Sequence, residues 1–104
     1  MRMLDALSAT TGLGWGVIGF GWVAQDYAVP GLLGAGGRLV AVADPDARAR
    51  RRAAAFGARP EAEMRALLDD PAVQAVYVAT PNHLHRAAVE AARRRELVDL
   101  PERW

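Results

Sequence analysis

Three short apolar segments, at residues 16–19, 39–43 and 73–79, constrain the fold of this chain more than any other feature. They are apolar at successive positions rather than at alternate ones, so both faces of each predicted strand are buried. Each is followed by a segment with helical periodicity or helix-forming composition. Strands that are buried on both faces and alternate with helices form a parallel sheet with helices on both sides. The sequence therefore predicts an α/β fold.

The predicted order of elements gives the topology of that sheet. Helices are expected up to about Leu33 and at residues 46–56, 61–69 and 84–95, and Ala58-Arg59 is at most a short third strand. Pro30 lies inside the first helical pattern, so a bend near Val29 or two helical pieces are expected there. Right-handed crossovers then give a partial doubly wound sheet with strand order 3-2-1-4.

Length and composition fit one small folded domain. The chain has 104 residues, 52% of them hydrophobic, and a net charge of +1. This charge predicts neither a nucleic-acid partner nor an anionic membrane surface. The absence of cysteine excludes disulfides and thiolate catalysis. We expect an N-terminal arm at residues 1–13, a folded domain at 14–95, no signal peptide or membrane span, and a cytoplasmic location.

A glycine motif joins the first predicted strand to the first helix and matches the pattern G-x-G-x-x-A. It consists of Gly19, Phe20, Gly21, Trp22, Val23 and Ala24. Gly19 suits a tight turn, Gly21 leaves room for a pyrophosphate, and Ala24 allows close packing of helix on strand. The N–H groups at the helix start attract phosphates. The motif predicts a dinucleotide site, and the alternative is an ordinary strand-to-helix turn.

Asp44 ends the second predicted strand, 20 residues after Ala24. An acidic residue there can accept hydrogen bonds from an adenosine ribose, and its charge repels a 2′-phosphate. NAD is therefore the expected cofactor. Arg48 is close enough in sequence to offset that charge, which keeps NADP as an alternative. Asp44 has a second interpretation, as a turn or N-cap residue before Pro45.

A second polar loop, Thr80-Pro81-Asn82, follows the fourth predicted strand. In strand order 3-2-1-4 this loop and the glycine motif leave neighbouring strands at the same edge of the sheet, where ligands bind. Asn82 offers a donor and an acceptor, and Pro81 stiffens the turn. Both loops are expected to border one cofactor crevice.

The two histidines, His83 and His85, raise three possibilities: metal ligands, a general base, or a local role beside the cofactor. A metal site is disfavoured because no cysteine and no nearby carboxylate completes a ligand set. A general base stays open because histidine titrates near neutrality. The local role is preferred, with His85 at a helix start beside the cofactor and His83 partly exposed.

Four segments together resemble the N-terminal Rossmann domain of the Gfo/Idh/MocA oxidoreductases. They are WGVIGFGWVA, LVAVADPD, LLDDPAVQAVYVATPNHLH and RAAVEAARR. The T-P-N-x-x-H element is the most specific of these matches. The resemblance implies NAD(P)-dependent chemistry on a hydroxyl or carbonyl of a sugar, cyclitol or similar small molecule. It assigns the glycine motif to the pyrophosphate, Asp44 to the adenosine ribose, and Thr80, Pro81 and Asn82 to the nicotinamide side.

The C-terminal end departs from the family pattern. The family continues into Gly-Lys-His, a further strand and Glu-Lys-Pro, whereas this chain contains no lysine. We therefore expect residues 96–104 to be an aberrant or truncated tail, the substrate domain to be absent, and the chain alone to be inactive. The alternative is a stand-alone, non-catalytic nucleotide-binding module. Without a fifth strand, residues 73–79 would be an exposed apolar edge, which predicts self-association.

Overall fold

The computed structural model describes residues 12–80, 82–95 and 98–100. Within that part of the chain, five strands form one parallel sheet in the order β3-β2-β1-β4-β5. The strands are β1 (Gly14–Ile18), β2 (Arg38–Ala43), β3 (Arg59–Glu61), β4 (Ala75–Val78) and β5 (Val98–Leu100). The predicted order 3-2-1-4 and the short third strand are confirmed.

Helices cover both faces of the sheet, as predicted. They are α1 (Ala24–Ala28), α2 (Val29–Gly34), α3 (Ala47–Ala55), α4 (Met64–Leu68) and α5 (Asn82–Arg94). Successive residues of a strand contribute to different apolar clusters, because side chains alternate across a sheet. Val17 packs in a cluster with residues of α1, α2 and α3, whereas Ile18 packs with residues of α4 and α5.

The helical segment after the glycine motif runs without interruption over residues 22–34, but its hydrogen bonding changes near Pro30. Helix α1 has π-type bonding and α2 is an α-helix with Pro30 in its first turn. Proline has no N–H to donate, so the first turn of a new helical piece accommodates it. In place of the expected bend or break, the hydrogen bonding changes from π-type to α-type, and the backbone angles of Ala28 and Val29 stay helical through the junction.

Helix α4 is shorter than the predicted residues 61–69. Glu61 belongs to β3, and Glu63, which precedes the helix, has an extended backbone with φ −123° and ψ 141°. Met64, Leu67 and Leu68, which are spaced three and four residues apart, lie in the helix as observed. The residues before it are held in the sheet by pairing with β2, which a local pattern does not reveal.

Strand β5 lies in the C-terminal segment, where the sequence predicted no strand. It pairs with β4 in parallel, with Ala75, Val76 and Tyr77 opposite residues 98, 99 and 100. The edge at residues 73–79 is therefore covered within the chain, and the predicted self-association through it loses its basis. Part of the tail predicted to be aberrant forms this strand. Within the described residues, no helix has the length and apolar character needed to span a bilayer.

Candidate functional site

A cavity of about 580 Å³ opens where β1, β2 and β4 end. Four stretches of chain contribute to its wall: the glycine loop after β1, the turn after β2, the start of α4, and the loop after β4 with α5. The lining residues are Ile18, Gly19, Phe20, Gly21, Ala43, Asp44, Pro45, Ala62, Met64, Ala79, Thr80, Leu84, Ala87 and Ala88. The two loops predicted to border one crevice do so.

Gly19 and Gly21 occupy very different environments in the glycine loop. Gly19 has a φ of +89°, and a Cβ atom there would lie 2.9 Å from the carbonyl oxygen of Ala79. Only glycine adopts this conformation without strain. A Cβ atom at Gly21 would meet no atom within 4 Å, although Gly21 lines the cavity. Gly19 thus shapes the turn, and Gly21 keeps the cavity wall open.

Phe20, between these glycines, is held at three points. Its backbone N–H donates to Oδ2 of Asp44 at 2.8 Å, and its carbonyl oxygen accepts from Nε2 of Gln25 at 2.9 Å. Its fully buried ring packs edge-to-face on Phe56, with ring centroids 5.6 Å apart. The middle of the glycine loop is therefore fixed by both backbone and side-chain contacts.

Asp44 lies in the cavity wall and connects the glycine loop to the turn after β2. Besides the bond from Phe20, its Oδ1 accepts the backbone N–H of Asp46 at 2.8 Å. Asp44 is thus a turn residue, as one interpretation expected, and it is also exposed to the space where a ligand would bind. A carboxylate has about four acceptor positions, so two N–H bonds leave capacity for further donors.

Arg48 does not line the cavity. Its side chain is 76% exposed, and its Nε lies 3.6 Å from Oδ1 of Asp46. Asp46 caps α3 by accepting the backbone N–H of Arg48 at 2.8 Å. That N–H, followed by the positive charge of Arg48, holds the pKa of Asp46 below its usual value. Arg48 is therefore close to Asp44 in sequence, but its guanidinium lies beside Asp46 and outside the cavity wall.

The rest of the glycine motif lies outside the cavity wall. Ala24 is fully buried in the apolar cluster beneath the sheet, which confirms its predicted packing role. Val23 is half-buried, and Trp22 is 67% exposed and packs edge-to-face with Tyr27 at 6.0 Å.

Thr80 lines the cavity. Its Oγ1 is buried and has no hydrogen-bond partner among the residues that the structure describes. A buried hydroxyl without a partner carries a free-energy cost that a ligand or a water can relieve. Pro81, which follows, lies outside the described residues, as do the side chains of Asn82 and His83. His85 is half-buried in α5 and is not among the lining residues.

The sequence reasoning missed the apolar side of the cavity. Leu84, Ala87 and Ala88 present one face of α5 to it, and Ala62 and Met64 contribute from the region of α4. The spacing of residues 84, 87 and 88 is the one that places side chains on one helix face. The spacing is visible in the sequence, but it does not by itself distinguish a cavity wall from a packed core.

Comparison with known proteins agrees with this architecture. The family model for the Gfo/Idh/MocA oxidoreductases, described as an NAD-binding Rossmann fold, matches residues 13–98. Inositol 2-dehydrogenase 1 of Saccharopolyspora erythraea is 43% identical over 82 residues, which cover 73% of this chain and 24% of that protein. The 1,5-anhydro-D-fructose reductase of Ensifer adhaerens is 33% identical over 85 residues, covering 77% of this chain and 25% of that protein.

A solved structure shares the fold. KijD10, a 3-ketoreductase from Actinomadura kijaniata crystallised with NADP and TDP-benzene, superposes with a TM-score of 0.81 at 30% identity. The match covers 89% of this chain and 29% of KijD10. The chain spans about a quarter of the length of the curated relatives it matches. It belongs to the Gfo/Idh/MocA oxidoreductase family, and residues 13–98 correspond to the NAD-binding Rossmann domain of that family.

Proposed function

We propose that the cavity binds NAD and that the chain is the cofactor-binding part of an oxidoreductase. The substrate class is a hydroxyl or carbonyl compound of the sugar or cyclitol type, like the compounds in the names of its relatives. The observation that carries the proposal is the convergence of Gly21, Asp44 and Thr80 on one cavity at the ends of adjacent strands. Ligands of doubly wound sheets bind at this edge.

The residues present fit a dinucleotide. The open space at Gly21 lets a pyrophosphate approach the backbone, and the helical segment that begins at Trp22 starts with N–H groups that have no intrahelical acceptor. Asp44 has acceptor capacity left for the hydroxyls of the adenosine ribose. Thr80, whose Oγ1 has no partner within the described part of the chain, suits the nicotinamide half together with Pro81 and Asn82. Bound NAD would supply a nicotinamide ring that accepts or donates a hydride.

The charges around the cavity favour NAD over NADP. A 2′-phosphate on the adenosine ribose would come close to the carboxylate of Asp44, which repels it. Arg48 would have to leave Asp46 to neutralise that phosphate. Loss of the Asp44 carboxylate should therefore weaken NAD binding more than NADP binding.

Calorimetric titration of NAD and NADP into the wild-type protein and Asp44→Ala tests this assignment. We expect the wild type to prefer NAD and the variant to lose about tenfold in NAD affinity, with a smaller loss for NADP. Arg48→Ala serves as the control, because its guanidinium is outside the cavity. Equal losses for the two cofactors would remove Asp44 from the ribose site, and no binding of either would refute the proposed function.

A specific observation also favours a non-catalytic nucleotide-binding module as the second candidate. The sequence has no lysine, and among the described residues that line the cavity Asp44 is the one titratable group. Both candidates predict the same cofactor site. They differ in whether a substrate is converted, which a turnover assay decides.

A further inference from the structure

We propose that Asp44 is also a positioning residue, which holds the glycine loop in its cofactor-accepting shape before any cofactor binds. This inference rests on the proposed function and concerns a different action of the same side chain. The ribose contact acts on the cofactor, whereas the positioning role acts on the backbone of Phe20. The two roles therefore make different predictions for a cofactor that lacks the ribose hydroxyls.

The hydrogen bonds of Asp44 connect the glycine loop with α3 and its N-cap and with β3. Oδ2 accepts from the backbone of Phe20, and Oδ1 accepts from the backbone of Asp46, both at 2.8 Å. The backbone carbonyl oxygen of Asp44 accepts from Nη1 of Arg50 in α3 at 2.9 Å. Its backbone N–H donates to the carbonyl oxygen of Glu61 at 2.9 Å. The backbone of Asp44 is thus fixed by contacts to α3 and β3, and its side chain binds the glycine loop at Phe20.

The glycine loop has reason to require such a contact. Two glycines within three residues make this segment conformationally free in the absence of other contacts. A loop that orders only when the cofactor arrives lowers the affinity by the free energy of ordering. Phe20 lies between the two glycines. A hydrogen bond to its N–H therefore orients the backbone of the loop relative to the proposed pyrophosphate position.

An asparagine at position 44 separates the two roles sharply. The carboxylate accepts one N–H at each oxygen, whereas the asparagine side chain has one oxygen and one NH₂ group. Asparagine therefore cannot accept from both Phe20 and Asp46 at once, although it has the same shape. One backbone N–H then faces a donor instead of an acceptor.

The test is the affinity of Asp44→Asn for NAD and for an NAD analogue whose adenosine ribose is 2′,3′-dideoxy. The analogue offers Asp44 no ribose hydroxyl. If Asp44 also positions the loop, the substitution should weaken the analogue about fivefold, the effect of losing one hydrogen bond. Loss of a negative charge would by itself favour these anionic ligands, so charge removal does not account for a weaker analogue. Affinity for the analogue that is unchanged within about twofold, with NAD weakened, would overturn the positioning role.

The matched control is Asp26→Asn, which removes an exposed carboxylate from α1, the helix that follows the glycine loop. It should leave both affinities unchanged. If the wild type binds no NAD, the proposed function itself fails. If NAD binds and only the analogue result is negative, the positioning role alone fails.

Amide hydrogen exchange of the cofactor-free wild type gives a second readout that needs no variant. The Phe20 N–H should exchange at least about tenfold more slowly than in an unstructured peptide of the same sequence, because Asp44 accepts it. In Asp44→Asn, if it folds, that protection should fall while the N–H of Val17 in β1 stays protected. Exchange of the wild-type Phe20 N–H at the unstructured rate would overturn the proposal.

Discussion

Gly19 and Gly21 belong to one motif, yet a methyl group should have opposite consequences at the two positions. At Gly19 the backbone φ is +89° and the carbonyl oxygen of Ala79 is too close for a Cβ atom. At Gly21 there is space, but the space is the cavity. The first glycine should therefore serve folding, and the second should serve binding.

For Gly21→Ala we expect unchanged stability and about tenfold weaker NAD binding, because the added methyl group occupies the approach of the pyrophosphate. Thermal unfolding and calorimetric titration of the same preparation measure both quantities. Gly31→Ala is the control, since a Cβ atom there also meets nothing within 4 Å and the residue lies outside the cavity wall. Unchanged NAD affinity in Gly21→Ala would show that the pyrophosphate lies elsewhere.

For Gly19→Ala we expect a loss of about 1–3 kcal/mol in the free energy of unfolding, because alanine is strained at positive φ and collides with Ala79. Urea unfolding measures this loss. NAD at saturating concentration should recover part of the folded population if the site can still form. A variant as stable as the wild type would mean that the loop relaxes to another shape.

At the residue scale, the sequence predicted which residues approach the cavity better than what they contact. Gly19, Gly21, Asp44 and Thr80 end neighbouring parallel strands, and strand ends at one sheet edge must lie together. The direction of a long side chain is a different problem. Arg48 bonds with Asp46 rather than turning towards the cavity, which depends on the cap of α3 and not on spacing.

Among the elements, the outer strand β3 is fastened to the turn before β4 by one arginine. Nε of Arg59 in β3 lies 2.7 Å from Oε1 of Glu61, and Nη1 of Arg59 lies 2.6 Å from Oδ2 of Asp70. The backbone N–H of Ala72 and then the charge of Arg59 hold the pKa of Asp70 below its usual value. With only 11% of its side chain exposed, Asp70 should contribute more to stability than a surface carboxylate.

Asp70→Asn should lower the free energy of unfolding by about 1 kcal/mol at neutral pH. The lowered pKa gives the sign of the pH dependence. The contribution of the carboxylate is complete above the ordinary aspartate value of 3.8 and is lost as the pH falls towards the lower folded value. Urea unfolding at several pH values should therefore show the wild type and the variant converging in acid.

Asp69→Asn is the matched control, because Asp69 is 57% exposed and pairs with Arg95 at the surface. It should change the stability little at any pH. A constant difference between the wild type and Asp70→Asn down to strongly acidic pH would contradict the assigned role of the carboxylate.

The elements that the sequence predicted best are those with many apolar residues of their own. Strand β4 lies within its predicted segment, and β1 and β2 overlap theirs but begin two residues and one residue earlier. These strands were predictable because consecutive apolar residues indicate burial on both faces. Strand β5 has only three residues and is stabilised by its pairing with β4. A local sequence pattern therefore does not predict it. Glu61 likewise belongs to β3 rather than to the predicted helix, because β3 pairs with β2.

At the scale of the whole molecule, the cavity unites loops that are distant in sequence, so a ligand there should stabilise the entire fold. NAD at about 100 times its dissociation constant should add about 2.7 kcal/mol to the free energy of unfolding. For a domain of this size, the midpoint of thermal unfolding should rise by about 10–20 °C. AMP, which has the adenosine but lacks the pyrophosphate, should give a smaller shift at the same concentration. Equal shifts would place the binding energy outside the glycine loop.

The 104-residue chain should bind NAD without oxidising a sugar or cyclitol. Oxidation of an alcohol moves a hydride from the carbon that bears the hydroxyl group to the nicotinamide, and it requires a group that takes the hydroxyl proton. Of the lining residues that the structure describes, Asp44 is the titratable one, and it already accepts two backbone N–H groups on the ribose side of the proposed site. The assay is NADH formation with myo-inositol and with D-glucose, run on protein whose thermal shift with NAD proves that the site is formed. No NADH should appear above the background without enzyme. Turnover would require a proton acceptor from a residue outside the described cavity wall, and His85→Ala would be the first variant to examine.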